Sequence, residues 1–245
     1  IKVSGAGKIT TLNAGQNNTN ITLENGGSIS TINANNNANS TISVSGSGHI
    51  TKIAGNTQND TITLGENITV DTIDTGANGT AKISGGTITT LKTTATGNVA
   101  VTVDQKAHIT TLDTSNTAGA VTISGASTVE TLKAAGAVTI SGASTVNSLT
   151  ATGSGDITLS GAGTTLKNDL NGKSGANNKI TIADGAKVDG TINLNTAQDS
   201  DLQNNKTGDQ VIVSGANTVV NKIDTGSGAK TITIENNATI NTIDA

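Results

Sequence analysis

Two histidines and a few closely spaced carboxylates are the residues of this chain whose chemistry goes beyond packing. Asp71 and Asp74 are candidates for the pair of acids, about 5 to 10 Å apart, that hydrolyses a glycosidic bond. Asp199, Asp201 and Asp209, with Lys206 among them, offer hard oxygen ligands of the kind Ca²⁺ takes. His49 and His108 are the only imidazoles, and each precedes an isoleucine, Ile50 or Ile109. The missing residue types narrow the chemistry further. Arg, Pro, Cys, Met, Phe, Tyr and Trp do not occur among the 245 residues. Without Cys there is neither a disulfide nor a thiolate metal site. Without Arg, a lyase-type reaction lacks its common charge stabiliser, and without aromatic rings a sugar cleft lacks its usual flat apolar platforms. The 14 Lys and 18 acids give a net charge of −4 with no basic cluster, so nucleic acid is not an expected partner. No apolar run reaches the roughly 18 to 20 residues of a membrane helix.

The elements that hold these residues are written as a repeat. Thr, Asn and Gly occupy 45, 30 and 30 positions, and aliphatic residues recur at offsets 0, +2, about +8 and about +11. Ile1, Val3, Ile9 and Leu12 begin the series; Val121, Ile123, Val129 and Leu132 lie in its middle; Ile232, Ile234, Ile240 and Ile243 end it. Twelve such units fill the chain, their starts 17 to 31 residues apart and mostly near 20. The 0 and +2 spacing is the alternation of a β-strand, and Ser-Gly steps such as Ser4-Gly5, Ser124-Gly125 and Ser214-Gly215 mark the corner that follows. A unit of this size closes one coil of a β-solenoid. The fold class expected is therefore all-β, a right-handed parallel β-helix of about 12 coils with about 20 residues per coil. At about 4.8 Å per coil the rod is on the order of 55 to 60 Å long. An antiparallel sandwich would need turns every 8 to 12 residues and hairpin loops.

Stacking turns each offset into a column. The outward position between the first two aliphatics reads Lys2, Thr22, Ser43, Thr63, Lys82, Thr102, Thr122, Thr139, Thr158, Thr181, Ile212 and Thr233. A second column, before the last aliphatic, holds Thr11, Thr31, Thr72, Thr90, Thr111, Thr131, Thr191 and Thr242. Ranks of Thr could suit an ice-binding face, but exposed Thr is also an ordinary strand residue that ladders with its like. Flat Thr-x-Thr pairs at this strand, Thr61-Ile62-Thr63 and Thr231-Ile232-Thr233, are too irregular for a lattice match. His49 and His108 fall at equivalent positions three coils apart, about 14 Å, and so cannot share a metal ion. They read as solvated corner residues.

No single coil can offset the entropy of ordering its own backbone, so stability must come from neighbours on both sides. The whole of 1–245 reads as one solenoid segment of a larger chain. Ile1-Lys2-Val3 and Thr242-Ile243-Asp244 are both in phase, so the ends should continue or meet another molecule. The longest departure from the repeat, residues 193–210, is a loop insertion that could bind Ca²⁺ weakly, dock a neighbour or be incidental.

The run from Val121 to Leu132, Val-Thr-Ile-Ser-Gly-Ala-Ser-Thr-Val-Glu-Thr-Leu, is echoed from Val138 to Leu149. It resembles the Thr/Asn/Gly-rich β-solenoid segments of bacterial surface proteins: S-layer proteins, autotransporter passengers and haemagglutinin-like adhesins. The resemblance is one of composition and period and covers the whole chain. It implies a secreted, extracellular protein at the bacterial cell surface that is structural rather than catalytic, a stiff rod in an S-layer or similar assembly that associates with neighbouring copies. An adhesin or passenger stalk that binds host or neighbouring cells is the alternative, and a polysaccharide-active β-helix enzyme a more distant one.

Overall fold

The computed structural model describes residues 1–15, 18–34, 39–55, 59–76, 79–94, 97–173, 178–194, 209–226 and 230–245. Among these residues every regular element is a β-strand, and every strand pairing is parallel. Two ladders run the length of the molecule. Sheet I takes the first strand of each unit, from Lys2–Ser4 through Val121–Ile123 to Thr231–Glu235. Sheet II takes the second, from Lys8–Asn13 through Thr128–Ala134 to Thr239–Asp244. Ser40–Ala54 is one continuous strand that serves both sheets in coil 3. The chain is a β-solenoid of stacked coils, as its period requires.

Sheet II is the rigid reference. Its two inward columns stay in register from coil to coil: Ile29 with Ile50, Val70 with Ile88, Ile109 with Val129, and likewise Ile32 with Ile53, Leu112 with Leu132, and Leu149 with Leu170. Residues three apart on a flat strand point to opposite faces. Here Ile29 and Ile32, or Val129 and Leu132, are both buried, so the strand must bend between them. The pairing accordingly skips one residue at the bend, Ser30 or Glu130. The bend lets one strand wall two sides of the aliphatic interior.

Sheet I departs from the simple alignment of units. The sequence places Ile21 over Ile42, but Ile21 lies beside Val44 and Leu23 beside Gly46. A second slip pairs Ile62 with Ile83 instead of Ala81. The cause is the corner. Leu23 and Ile29 are six positions apart, while their partners Gly46 and Ile50 are four apart. Sheet II holds its register, so sheet I slides by two residues. A slip of two preserves the inward and outward faces, whereas a slip of one would turn the apolar side chains to solvent. Glycine makes the slip feasible: Gly46 has φ +91°, and a Cβ there would stand 2.0 Å from the Leu23 carbonyl oxygen. As a result Ser40 and Asp60, both buried, occupy the column that Ala81, Val101 and Val121 continue.

From coil 6 onward sheet I is unshifted, and Val103, Ile123, Ile140, Leu159, Ile182 and Val213 are each fully buried. Several corners are four-residue turns with both central residues in the left-handed region, as at Gly125-Ala126 (φ +64° and +57°) and Gly142-Ala143 (+64° and +59°). Ser127 N–H and Ser144 N–H close these turns onto Ser124 and Ser141 oxygens at 3.3 and 3.2 Å. Alanine in that region is strained by about 1 to 2 kcal/mol. Ala126→Gly should therefore raise stability by roughly 0.5 to 1 kcal/mol in thermal or chemical denaturation. Ala134→Gly, at a buried strand position, should lower it by about 1 kcal/mol.

Candidate functional site

The surface chemistry of the rod lies in its outward columns. On sheet I, Thr102, Thr122, Thr139, Thr158 and Thr181 stack on five consecutive rungs. Ile212 and Thr233 continue the column. The slips break it between coils 2 and 6, and this corrects the simple reading of the units. Thr22 sits beside Ser45, their hydroxyl oxygens 3.4 Å apart, and not beside Ser43. Thr63 sits beside Ser84, and Lys82 lies between Thr61 and Thr102.

Sheet II stacks the second column through coil 8 in the order Thr11, Thr31, Lys52, Thr72, Thr90, Thr111, Thr131 and Ser148; the split strand of coil 9 pairs no residue with Ser148, and Thr191 and Thr242 belong to a separate run through Lys222. Two positions further along each strand runs a column of amides and charges. Asn33 donates its side-chain N–H to the Asn13 oxygen at 2.9 Å, Asn193 to Asn171 at 2.7 Å, and Asn241 to Asn221, in the neighbouring column, at 3.4 Å. In the middle coils the amide column becomes an alternating series, with Asp74 beside Lys92, Lys92 beside Asp113, and Asp113 beside Lys133. Each inner charge has an opposite charge above and below it. Near the end, Lys222 pairs with Asp244, whose hydrogen bond and charge, with the charge of Asp224, raise the Lys222 ammonium above the ordinary lysine value.

The residues with catalytic or metal-binding potential are placed as follows. His49 Nε2 lies 2.9 Å from Asp71 Oδ1, and His108 Nε2 lies 3.3 Å from Glu130 Oε1. The geometry is the same twice: an imidazole before the first inward residue of sheet II meets an acid at the bend of the next coil. His49 is exposed and His108 half-buried, and each has a carboxylate neighbour that unit-by-unit reading overlooked. Asp74 accepts hydrogen bonds from the Thr94 hydroxyl at 2.9 and 3.0 Å. Asp71 and Asp74 thus serve different partners. Asp199, Asp201 and Lys206 lie outside the described residues. Asp209 is described, and it is buried rather than displayed.

Asp209 belongs to an inner polar stack. Two positions before the first aliphatic of each unit lies a column that reads Gly119, Gly136, Gly155, Asn178, Asp209 and Lys230 over the last coils. The Asn178 side chain donates to the carbonyl oxygens of Gly153 and Gly155 at 3.2 and 3.0 Å. Asp209 Oδ1 accepts from Asn178 N–H at 2.9 Å, and its Oδ2 pairs with Lys230 Nζ at 3.1 Å. Asp209 is 2% exposed and Lys230 13%. The carboxylate therefore holds the chain in the stack just before strand Gln210–Ser214; residues 195–208 of the 193–210 insertion lie outside the described residues. Among the described residues no three His, Asp or Glu side chains gather as a metal site would require.

No protein-family model, curated protein or solved structure matches the chain. What the described surface offers chemically is runs of like groups on successive rungs: hydroxyls from Thr102 to Thr181 on sheet I, amides at Asn13 with Asn33 and Asn171 with Asn193, and alternating charges from Asp74 to Lys133 on sheet II. The signal for the polar stack was present in the sequence two positions ahead of each unit, where Gly gives way to Asn, Asp and Lys.

Asp209→Ala should destabilise the C-terminal coils by about 3 to 5 kcal/mol, because Lys230 and the Asn178 N–H lose their partner. Amide hydrogen exchange should report the loss in residues 178–245 more than in 99–151. Lys92→Glu sets three acids in a row and should cost roughly 1 kcal/mol, less at high salt. Combining it with Asp113→Lys and Asp74→Lys restores alternation with Lys133→Asp and should recover most of that loss, measured by urea midpoint.

Proposed function

We propose that this chain is a non-catalytic structural element of a secreted bacterial surface protein, a stiff rod in an S-layer or similar extracellular assembly. The observation that carries this reading is the run of outward columns in register from rung to rung, along sheet I from coil 6 and along sheet II from coil 1 to coil 8. A surface that repeats at every rung offers many equivalent contacts to a neighbour lying alongside, and modest contacts add when they are held at fixed spacing. The backbone is tied coil to coil, so the rod resists bending, and the polar columns keep its sides hydrated. The alternating run Asp74, Lys92, Asp113 and Lys133 suits contact between copies, since the same run on a partner shifted by one rung presents opposite charge along it.

The test is assembly of the purified chain, followed by electron microscopy with and without Ca²⁺. The expected result is side-by-side bundles or planar arrays with a lateral repeat of one rod, weakened by salt that screens the charge columns. Saturable binding of monomer to a cell-surface receptor, with no array at any concentration, would favour the adhesin stalk and overturn the lattice reading. Turnover of a polysaccharide would favour the enzyme.

A further inference from the structure

The outward column of sheet II that carries the amides and charges has a symmetry of its own. Asp74, Lys92, Asp113 and Lys133 occupy coils 4 to 7 on successive rungs. Ala54 and Thr150, both small, flank them on coils 3 and 8. Asparagines follow on both sides, Asn33 and Asn171 on coils 2 and 9, then Asn13 and Asn193 on coils 1 and 10. Seen from the midpoint between coils 5 and 6, the column is the same in both directions except that each charge meets its opposite. All of these side chains are half-buried or exposed.

Their polar groups are also incompletely used. Lys92 stands between Asp74 and Asp113 in the column, yet among the described residues neither the Lys92 nor the Lys133 ammonium has an ion pair or a hydrogen bond. Asn33 donates to Asn13, and Asn193 to Asn171. Those two bonds leave Asn33 Oδ1 and Asn193 Oδ1 as acceptors, and the Asn171 and Asn13 side-chain N–H groups as donors.

We propose that a second copy of this chain, running in the opposite direction, docks face to face on this side of sheet II about a two-fold axis between coils 5 and 6. Asp74 of each copy then meets Lys133 of the other, and Lys92 meets Asp113, so all four charges are paired. Asn33 Oδ1 faces the Asn171 N–H, and the Asn13 N–H faces Asn193 Oδ1. In the adjoining column Thr72 faces Thr131 and Thr90 faces Thr111. The interface is isologous, each contact being made twice. Its register is specified, because a slip of one rung in either direction sets Asp against Asp and Lys against Lys, a like-charge arrangement that interfaces avoid. A copy running in the same direction and shifted by one rung pairs only three of the four charges, leaving Asp74 against Ala54 and Lys133 against Thr150. The contact is lateral and uses no end of the stack. It deepens the surface-assembly reading, on which it rests, by naming the partner and its direction.

The chain has no cysteine, so single thiols can be placed at will. Ala54→Cys and Thr150→Cys lie outside the charge and amide pairs and five coils apart, about 24 Å along the rod. The two variants are purified separately, mixed, and treated with a thiol cross-linker that spans about 10 Å, the distance between stacked sheets. The expected product is the mixed dimer in at least tenfold excess over either homodimer. Homodimers in equal or greater yield, or a chain that sediments as a monomer at every concentration, would overturn the antiparallel pairing. Lys92→Glu with Lys133→Glu should weaken dimerisation at least tenfold in sedimentation equilibrium, with the β-sheet circular dichroism intact. Mixing that variant with Asp74→Lys, Asp113→Lys chain should restore the dimer; a mixture that stays monomeric while both variants are folded counts against the charge pairing. If arrays form without the mixed cross-link, the antiparallel contact falls and the surface-assembly reading survives. If the mixed cross-link forms and nothing larger than a dimer assembles, the contact stands and the lattice reading falls.

Discussion

Every feature of this molecule depends on parallel backbone hydrogen bonding between consecutive coils. The interior is narrow, and its apolar part is aliphatic without aromatic rings, so no coil has enough apolar area to order itself. Each rung is stable because the rung before it and the rung after it satisfy its N–H and C=O groups and cover its side chains. Sheet II bears most of this constraint. Its inward pairs stay aligned through insertions, short corners and changes of residue type, and the rest of the coil adjusts to it.

That hierarchy explains where variation is tolerated. Corner length changes at coils 3 and 5, and sheet I absorbs the change in steps of two residues, which keep its apolar face inward. Glycine at Gly46 gives the space that a side chain would deny. On either side of residues 195–208 both ladders continue, Lys179–Ala183 pairing with Gln210–Ser214 and Lys187–Asn193 with Val219–Asp224. At Asp209, just before strand Gln210–Ser214, a buried ion pair and an asparagine that bonds two carbonyls hold the stack.

The parallel stack of coils of about 20 residues and most of the buried aliphatics were legible in the sequence, because period and alternation report directly on inward columns. Ala81 looked like a weak first position of its unit; the slip instead sets it over Asp60. That shift was illegible because it depends on the difference between two corner lengths, and each corner read alone looks ordinary. The partners of His49 and His108 were missed for a related reason: the acids lie in the following unit, at a bend, and no comparison within one unit brings them together. Asp209 was legible as a carboxylate near an insertion. Its burial became apparent only once Gly155, Asn178 and Lys230 were aligned as one column.

A scaffold that ties like residue to like residue along an axis gives its surface a repeat, and the structural role proposed above rests on that property. The most direct test of the stacking itself is methyl nuclear Overhauser spectroscopy on chain labelled at Leu, Ile and Val. Leu132 should show strong contacts to Leu112 and Leu149, its partners above and below. Contacts from Leu132 to a residue a hairpin's distance away in sequence, with none to Leu112 or Leu149, would contradict the account.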